Sequence, residues 1–507
     1  MAPARKSQRT STSKSASSSN GAISVKQITQ TEKVSKRPKP QLSASELVEK
    51  ARKKLPARER KLPILTPLPG ITGTVGKVMI FGTGEQGALG LGEDRVERKK
   101  PTVVEGLEEV KAVDVIGGGS HCAVLGQEGK VWTWGTSDAF AIGRLTQENA
   151  SDMIKAFKQM NRIQEAQELQ ARMDSSSEEF PTEWTPGPSF AGLPQEEGVK
   201  VVRVAAGDCT TAVITSLGTL YVSGIFRGGD GNIRESVQPE FTLITELLPH
   251  TIVDVACGNN HILALTDRGF LYAWGSGEQM QFGRRTTDRR VGAHARLLHG
   301  IRPERVPLTD VVTIGAGGYH SMAVTSDGTL YTWGMNSYGQ CGLGKGSEDR
   351  IGTPEPVDPS VFGGRRVTRV AGGEQHTVVV CEDGSTWACG RADSGQTGLS
   401  AEDRQDLEMR NDQAKSSALP SFAQIPALKD CQIQGVACGT HHTAAVDSSG
   451  TAWCWGYAEQ WATGTADEED TVEPTKLTGS RLVDRRVLRI GAGGHHTILL
   501  ASLKEDE

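Results

Sequence analysis

One block of residues recurs seven times along this 507-residue chain. Each copy has a Gly-rich turn, usually a His, an apolar stretch, a second turn containing Gly, and then an aromatic residue followed by Gly. Self-similarity at a period near 50 residues indicates a propeller or another repeat architecture. The six complete copies cover residues 117–135, 205–224, 256–275, 315–334, 371–390 and 437–456.

The seventh copy is divided between the two ends of the repeat region. Residues 491–502, GAGGHHTILLAS, supply its first half, and residues 77–82, KVMIFG, supply the missing half. An open array needs no such division, whereas a closed ring is locked when an N-terminal strand completes the last blade. The sequence therefore predicts an all-β fold, a seven-bladed β-propeller over residues 76–502 whose last blade is completed by the N-terminal strand.

The repeats also predict the local structure of a blade. Apolar residues flank short turns such as 325–329, TSDGT, which is the pattern of a β-hairpin. Pairs of glycine, or of alanine and glycine, open each copy and permit positive φ and close backbone approach. The recurring tryptophans Trp134, Trp274, Trp333 and Trp455 are therefore predicted to be blade core. The recurring histidines are predicted to be structural as well: His121, His261, His320, His376, His442 and His496.

Charge is unevenly divided along the chain. Residues 1–62 hold 16 Lys/Arg against 4 Asp/Glu, and the remainder holds 40 against 57, which sum to the net charge of −5. Low aromatic content and many Ser, Thr and Pro predict that residues 1–75 form a disordered basic tail, and residues 503–507 an acidic C-terminal end. A solubilising tail is the alternative, but a tail of charge +12 favours a polyanionic partner.

Other features narrow the functional class. Nine cysteines are scattered without a C-x-x-C pair or a metal-like spacing with His, which predicts reduced thiols in an intracellular protein without metal or cofactor. No apolar run approaches the roughly 18 residues of a membrane span, so we expect a soluble monomer. No nucleophile–base pair stands outside the repeats, which argues against a hydrolytic or redox enzyme.

The repeats resemble those of the regulator of chromosome condensation family from residue 77 to about 500. Residues 81–101 resemble the opening blade of that family, and residues 224–232, GIFRGGDGN, stand where the family has a hairpin beginning Phe-Arg. The resemblance implies a chromatin-bound nuclear exchange factor for the small GTPase Ran, which releases GDP without making or breaking bonds. It would supply Ran-GTP for nucleocytoplasmic transport and for spindle and nuclear-envelope assembly. The alternative function is a non-catalytic propeller scaffold.

The same resemblance implies which residues meet the GTPase. A projecting hairpin would act as a wedge at the nucleotide site, and the polar residues of the Gly-rich turns would face the partner. Asn260 stands where the family usually has Asp. The predicted wedge is Phe226, Arg227, Gly228, Gly229, Asp230, Gly231 and Asn232. The other predicted GTPase-binding residues are Glu85, Asp208, Asn260, Gln375 and His376.

Basic residues carry the predicted chromatin and import contacts. An arginine-rich loop stands where the family docks on the acidic patch of the nucleosome, and arginine suits bidentate pairing with carboxylates. Its arginines are Arg284, Arg285, Arg289, Arg290 and Arg296. Two clusters in the tail suit a nuclear import receptor or DNA phosphates. They are Lys36, Arg37 and Lys39, and Arg52, Lys53 and Lys54.

A long insertion at about 144–198 interrupts the repeats. Residues 151–173 place apolar side chains every three residues, which predicts an amphipathic helix with Ser151 as a possible N-cap. The apolar positions are Ile154, Phe157, Met160, Ile163, Ala166 and Leu169. We expect this helix to pack on the rim of the propeller, with recruitment of a partner as the alternative.

Overall fold

Each repeat folds into a sheet because its apolar stretches alternate with tight Gly-containing turns. The computed structural model describes residues 42–71, 73–137, 139–175, 180–226, 237–284, 300–407, 409–411, 416–467 and 469–503. Within these ranges the strands form seven antiparallel sheets, which are the blades of a propeller. The predicted seven-bladed all-β fold is confirmed. Residues 43–507 form one compact unit.

The strands are numbered along the chain, and the first two belong to the last blade. They are β1 (Lys77–Thr83) and β2 (Glu97–Val103). Blade 1 contains β3 (Ala112–Gly117), β4 (His121–Gly126), β5 (Val131–Gly135) and β6 (Gly187–Pro188). Blade 2 contains β7 (Val201–Ala206), β8 (Thr210–Thr215), β9 (Leu220–Gly224) and β10 (Gln238–Leu243). Blade 3 contains β11 (Ile252–Cys257), β12 (His261–Thr266), β13 (Leu271–Gly275) and β14 (Glu304–Arg305).

The remaining blades follow the same order. Blade 4 contains β15 (Val311–Ala316), β16 (His320–Thr325), β17 (Leu330–Met335) and β18 (Arg350–Pro356). Blade 5 contains β19 (Val367–Gly372), β20 (His376–Cys381), β21 (Thr386–Arg391), β22 (Met409–Asn411) and β23 (Ser416–Gln424). Blade 6 contains β24 (Ile433–Cys438), β25 (His442–Asp447), β26 (Ala452–Gly456) and β27 (Thr471–Lys476). Blade 7 adds β28 (Arg485–Ala492) and β29 (His496–Leu503) to the first two strands.

Blade 7 draws its strands from both ends of the repeat region. Its sheet has the order β2-β1-β29-β28, so β1 lies beside β29. Val78 is opposite Leu500 and Ile80 is opposite Ile498 in this pairing. Gly82 has φ +115, and a Cβ there would lie 2.3 Å from the carbonyl oxygen of His495. The backbones therefore approach at a distance that only glycine permits.

The recurring histidines join neighbouring blades. Each imidazole is at most 1% exposed, and its Nε2 lies 2.7–3.0 Å from a hydroxyl or thiol on the next blade. Several of these hydroxyls donate to a backbone carbonyl, so the imidazole is the donor in the pair. The pairs are His121–Thr211, His261–Ser321, His320–Thr377, His376–Thr443, His442–Thr497 and His496–Cys122.

Tryptophans fill the space between the same blades. The four recurring tryptophans are at most 1% exposed, as predicted for blade core. Trp333 Nε1 donates to Gln281 O at 2.9 Å, and Ser321 Oγ donates to that oxygen at 2.8 Å. One carbonyl therefore accepts from the tryptophan and from the hydroxyl that meets His261. The histidine and tryptophan positions that recur in the repeat therefore have structural roles, in agreement with the structural interpretation of the histidines.

Short helices precede the propeller, within the range predicted to be disordered. They are α1 (Ala44–Arg52) and α2 (Ala57–Arg60). Ser43 and Glu46 form a capping box at the start of α1, and Val48 and Leu55 are buried. The predicted boundary at residue 75 is therefore too late, because the cap and two apolar anchors order this part of the chain. Residues 1–41 lie outside the described residues.

The insertion forms two helices where one was predicted. They are α3 (Ala150–Gln159) and α4 (Ile163–Asp174), and the chain reverses at Asn161, which has φ 60. Asn149, not Ser151, occupies the N-cap position of α3. Met160 and Ile163 are 44% and 45% exposed because they lie at the reversal, whereas the other predicted apolar positions are buried. Those buried residues pack on the propeller, as the rim interpretation predicts.

Other short elements complete the described chain. A one-turn helix, α5 (Ala401–Arg404), lies in the connection of blade 5. Three 3₁₀ turns cover Thr245–Leu247, Pro359–Phe362 and Pro426–Leu428. Among the described residues, none of the helices has the length and apolar character needed to cross a membrane.

Candidate functional site

The Gly-rich turns of all seven blades meet at one end of the central channel. They line a cavity of about 80 Å³ with three equivalent positions from each blade. The connections from the third to the fourth strand of each blade leave from the same end, because successive strands are antiparallel. We call this end the Gly-turn face. The lining positions are 117–119, 206–208, 257–259, 316–318, 372–374, 438–440 and 492–494.

Two carboxylates stand at this mouth. Asp208 and Glu374 occupy the same position in the turns of blades 2 and 5. Burial raises the pKa of the Glu374 carboxyl, and the negative charge of Asp208 raises it further. The equivalent position of blade 1 is Gly119, where a Cβ would lie 2.1 Å from Asp208 Oδ1. Glycine there leaves room for the exposed Asp208 side chain at the mouth.

Asp208 is one of the GTPase-binding residues predicted from the sequence, whereas Glu374 was not predicted. Glu374 stands two residues before the recurring His376, as Asp208 stands two residues before Thr210, which replaces the His in blade 2. Alignment of the turns could therefore have found it. His441 Nε2 lies 4.0 Å from Glu374 Oε2. Burial lowers the pKa of His441, so the imidazole is neutral near pH 7 and does not cancel the carboxylate charge.

The next residue of each turn lies beside this mouth. Gln375 is half-buried, and its Oε1 accepts a hydrogen bond of 2.9 Å from Arg391 Nη1. Arg391 is held in turn by Asp393, through bonds of 2.7 and 2.8 Å. Asn260 is the half-buried equivalent of Gln375 in blade 3. Both side chains therefore lie on the Gly-turn face.

His376 differs from the other predicted GTPase-binding residues. Its ring is 1% exposed and lies 2.9 Å from Thr443 Oγ1 on the next blade. Burial lowers its pKa to about 3, which keeps the imidazole neutral. A partner cannot reach this side chain in the folded propeller, so His376 has the same structural role as the other recurring histidines.

Glu85 reaches the Gly-turn face from the connection between β1 and β2. Its side chain is exposed, and its charge acts on His495 in the turn of blade 7. Burial lowers the pKa of His495, and Glu85 opposes that effect. The structure thus brings Glu85, Asp208, Asn260 and Gln375 to one face, and it adds Glu374.

The predicted wedge leaves blade 2 at this same face. Its first residue, Phe226, is 2% exposed and packs in the core between blades 2 and 3 with Ile262 and Trp274. Phe226 is therefore an anchor and not the tip of a projecting loop. The other wedge residues, Arg227, Gly228, Gly229, Asp230, Gly231 and Asn232, lie outside the described residues.

Arg284, the described member of the predicted nucleosome-binding loop, is structural. Its side chain is 7% exposed and bonds Glu304 Oε2 at 2.7 Å. Its guanidinium carbon lies 5.0 Å from the centre of the Phe282 ring, and burial lowers its pKa. The prediction is wrong for this residue, because its guanidinium group is already bonded to Glu304 within blade 3. Arg285, Arg289, Arg290 and Arg296 lie outside the described residues.

The second basic cluster of the tail is partly folded. Arg52 Nη2 donates to Leu217 O at 2.6 Å, in a turn at the opposite end of blade 2, and burial lowers the Arg52 pKa. Lys53 pairs with Glu49 at 2.7 Å on the exposed side of α1. Arg52 is therefore a docking residue of α1 and not an available import signal. Lys54 is exposed, and Lys36, Arg37 and Lys39 lie outside the described residues.

Metal and thiol chemistry have no visible site in the described ranges. No group of three or more His, Cys, Asp or Glu side chains there is arranged to hold a metal ion. None of the nine cysteines, all of which lie in the described ranges, forms a disulfide, and burial raises the pKa of Cys257, Cys341 and Cys438 to about 12. Thiols with raised pKa values are poor nucleophiles. The features of this face suit contact with a macromolecular partner.

Comparison with known sequences identifies relatives along nearly the whole repeat region. The family described as the RCC1-like domain matches residues 77–499. Protein pim1 of Schizosaccharomyces pombe is 31% identical over 497 residues, covering 94% of this chain and 86% of pim1. Guanine nucleotide exchange factor SRM1 of Saccharomyces cerevisiae is 30% identical over 434 residues, covering 83% of this chain and 86% of SRM1.

Solved structures show the same architecture. A crystal structure of Prp20p from Saccharomyces cerevisiae, described together with its binding to Gsp1p and histones, superposes with a TM-score of 0.73. The two chains are 28% identical, with 86% of this chain and 94% of Prp20p covered. A structure of Kap60 bound to yeast RCC1 (Prp20) gives a TM-score of 0.72 at 26% identity, with 94% and 97% covered.

Proposed function

This chain belongs to the RCC1-like domain family, and on that premise we propose that it is a guanine-nucleotide exchange factor for the small GTPase Ran. The observation that carries the proposal is the Gly-turn face, where Asp208 and Glu374 stand at the channel mouth and the exposed Glu85 acts on His495 in the turn of blade 7. A relative that covers most of this chain is itself named a guanine nucleotide exchange factor. The structurally similar Prp20p is described with its binding to Gsp1p.

The proposed mechanism is binding and contains no bond chemistry. Small GTPases hold nucleotide phosphates with backbone N–H groups and Mg²⁺. An acidic face attracts the basic residues of such a partner and raises the association rate. A wedge over residues 227–232, with Phe226 as its buried anchor, would then disturb the phosphate cradle while the contacts at the mouth stabilise the nucleotide-free GTPase. Exchange follows because this protein binds the empty state more tightly than the loaded state.

The proposed place of action is chromatin in the nucleus. Prp20p is described with histone binding, and its complex with Kap60 supports recognition by an import receptor. In this chain the basic residues 1–62 would supply contacts to DNA phosphates and to the receptor, with Lys36, Arg37 and Lys39 as the import cluster. The nucleosome contact would fall to Arg285, Arg289, Arg290 and Arg296, since Arg284 is used within blade 3. The Ran-GTP so formed would serve nuclear transport and mitotic assembly.

The test compares the affinity of the full chain for nucleotide-free Ran and for Ran loaded with GDP. We expect much tighter binding of the nucleotide-free form, and Asp208→Asn should weaken that binding about tenfold, or 1.4 kcal/mol. Glu128→Gln is the matched control, because Glu128 is exposed at the opposite end of blade 1. Equal affinities for the two forms of Ran would favour the scaffold alternative and refute exchange.

A further inference from the structure

The helical insertion of blade 1 packs against blade 2. Its α3 and α4 share an apolar cluster with Cys209 and Ile225, and Val237 packs against that cluster. Cys209 follows Asp208 at the channel mouth. Ile225 and Val237 stand on the two sides of the connection that contains the proposed wedge. One pair of helices therefore touches both ends of that connection and the neighbour of a proposed GTPase-binding carboxylate.

The insertion has a rigid base of buried polar groups. Arg144 is 6% exposed and donates to Thr182 O at 3.0 Å and to Thr185 O at 2.9 Å. Asn149 Nδ2 donates to Arg144 O at 2.9 Å, directly before α3 begins. Ser137 N donates to Glu183 Oε2 at 2.9 Å and joins the start and the end of the connection between β5 and β6 that carries α3 and α4. Buried networks of satisfied polar groups fix the geometry of what they carry.

Arg162 links the reversal between the helices to blade 2. Its Nη1 donates to Glu240 Oε2 at 2.9 Å, and its Nε donates to Glu165 Oε1 at 2.7 Å. Its guanidinium carbon lies 4.2 Å from the centre of the Phe157 ring. Glu240 belongs to β10, which follows the proposed wedge in the chain. Both side chains of the Arg162–Glu240 pair are about three-quarters buried, so solvent screens it less than a surface pair.

A hydroxyl makes a second link between the β5–β6 connection and the two strands. Ser223 Oγ, in β9, lies 2.6 Å from Phe140 O and 3.3 Å from Gln238 O. Phe140 lies in the connection between β5 and β6, just before the insertion, and Gln238 is the first residue of β10. The strand before the wedge connection is thus bonded beside the insertion, and the strand after the wedge connection begins next to that bond.

We propose that the α3–α4 pair is a positioning element that fixes both ends of the wedge connection, with Arg162 as its positioning residue. The inference rests on the proposed exchange function and adds to it the part of this chain that aims the wedge. A contact that must meet a partner in a defined geometry loses effectiveness when its supports are displaced by about 1 Å. Holding the ends before binding also reduces the entropy that binding must remove.

The test measures nucleotide release from Ran at several Ran concentrations for the full-length chain and its variants. Arg162→Met keeps the packing on Phe157 and removes the ion pair, and Glu240→Gln removes the partner charge. Each variant should lower kcat about tenfold, with KM within about twofold of wild type because the channel mouth still binds Ran. The double variant should be no worse than either single one. Lys155→Met is the control, since it breaks an exposed ion pair with Asp152 on the same helix.

Three results would overturn the proposal. The first is a kcat for Arg162→Met equal to that of Lys155→Met, even if Arg162→Met unfolds at a lower temperature. The second is additive losses in the double variant. The third can be measured without any exchange activity: the Ile225 amide donates to Cys209 O at 3.1 Å, and its hydrogen exchange should accelerate in Arg162→Met. An unchanged rate would refute the positioning role. If the wild-type chain itself failed to release nucleotide, the proposed function would fall, and this third readout would still decide the inference.

Discussion

Acidification below pH 6.5 is expected to destabilise the propeller through its six interblade histidines. Burial lowers the pKa of His121 and His320 to about 4, and that of the other four to about 3. In the unfolded chain each imidazole titrates near 6.5. The unfolded state therefore binds more protons than the folded state between pH 6.5 and about 4. The contribution of these histidines to the free energy of unfolding is therefore fully present above pH 6.5. It is lost as the pH falls from 6.5 to about 4.

The size of the effect follows from the number of imidazoles. One proton of difference corresponds to about 1.4 kcal/mol per pH unit, so six give at most about 8 kcal/mol per pH unit. With unfolded pKa values near 6.5, the step from pH 7 to pH 6 costs about 4 kcal/mol. This is a large part of the 5–15 kcal/mol that stabilises a typical protein. Burial raises the pKa of four carboxyls, Asp114, Asp267, Glu374 and Asp470, which act in the opposite sense. Burial also lowers the pKa of His250, His441 and His495, which adds to the effect of the six interblade histidines.

The assay is urea unfolding followed by tryptophan fluorescence at a series of pH values from about 7.5 to about 5.5. The slope of the unfolding free energy against pH should correspond to the uptake of several protons. His320→Gln should reduce that slope by the contribution of one proton at most, because it removes one of the buried titrating groups. An unfolding free energy that stays constant between pH 7 and pH 6 would refute the assignment of these rings as buried, neutral donors.

Two further predictions concern the closure and the joints of the ring. Thr377→Val preserves the shape of the side chain but leaves the His320 Nε2–H without its acceptor, so the free energy of unfolding should fall by about 1–3 kcal/mol. An unchanged midpoint of urea unfolding would contradict the interblade bond. Gly82→Ala should lower the free energy of unfolding by about 3 kcal/mol or more, because the added Cβ would lie 2.3 Å from His495 O. Gly92→Ala should lower it by about 1 kcal/mol, because a Cβ at Gly92 would have no atom within 4 Å. Equal losses for the two alanine variants in the same unfolding assay would refute the close approach in blade 7.

The repeats allowed most of the fold to be predicted because each copy carries the same physical requirements. A Gly-rich turn, a buried His and a buried Trp at fixed spacing specify one blade, and seven copies specify the ring. The equivalence extends to register, since His320 lies opposite Gly334 and His442 lies opposite Gly456. Because these positions recur periodically, their places in the blade could be predicted without knowledge of their contacts.

The departures from prediction lie where one local conformation changes the outcome. Apolar residues continue at helical spacing through Met160 and Ile163, yet Asn161 adopts a left-handed conformation and reverses the chain. Asn tolerates that conformation better than most residues, but its presence does not require it. The capping box of Ser43 and Glu46 can be recognised in the sequence, but low aromatic content and many Ser, Thr and Pro predicted disorder for the whole tail.

The candidate site was only partly predictable because identical residue types serve the surface and the scaffold. Arg284 belongs to an arginine-rich loop, but its ion pair with Glu304 places it inside blade 3. His376 shares its turn with Gln375, but only Gln375 lies at the surface. Burial decides these roles, and burial depends on contacts between residues far apart in the chain. Glu374 could have been predicted, because alignment of the Gly-rich turns places it at the same position as Asp208.

The most direct test of the exchange function follows the release of a fluorescent GDP analogue from Ran in the presence of far less than one equivalent of this chain. A catalyst of exchange must turn over, so each molecule should empty many Ran molecules, and the release rate should rise in proportion to the amount added. Asp208→Asn should lower this rate while the unfolding midpoint stays unchanged. Release at the spontaneous rate with the wild-type chain would contradict the account.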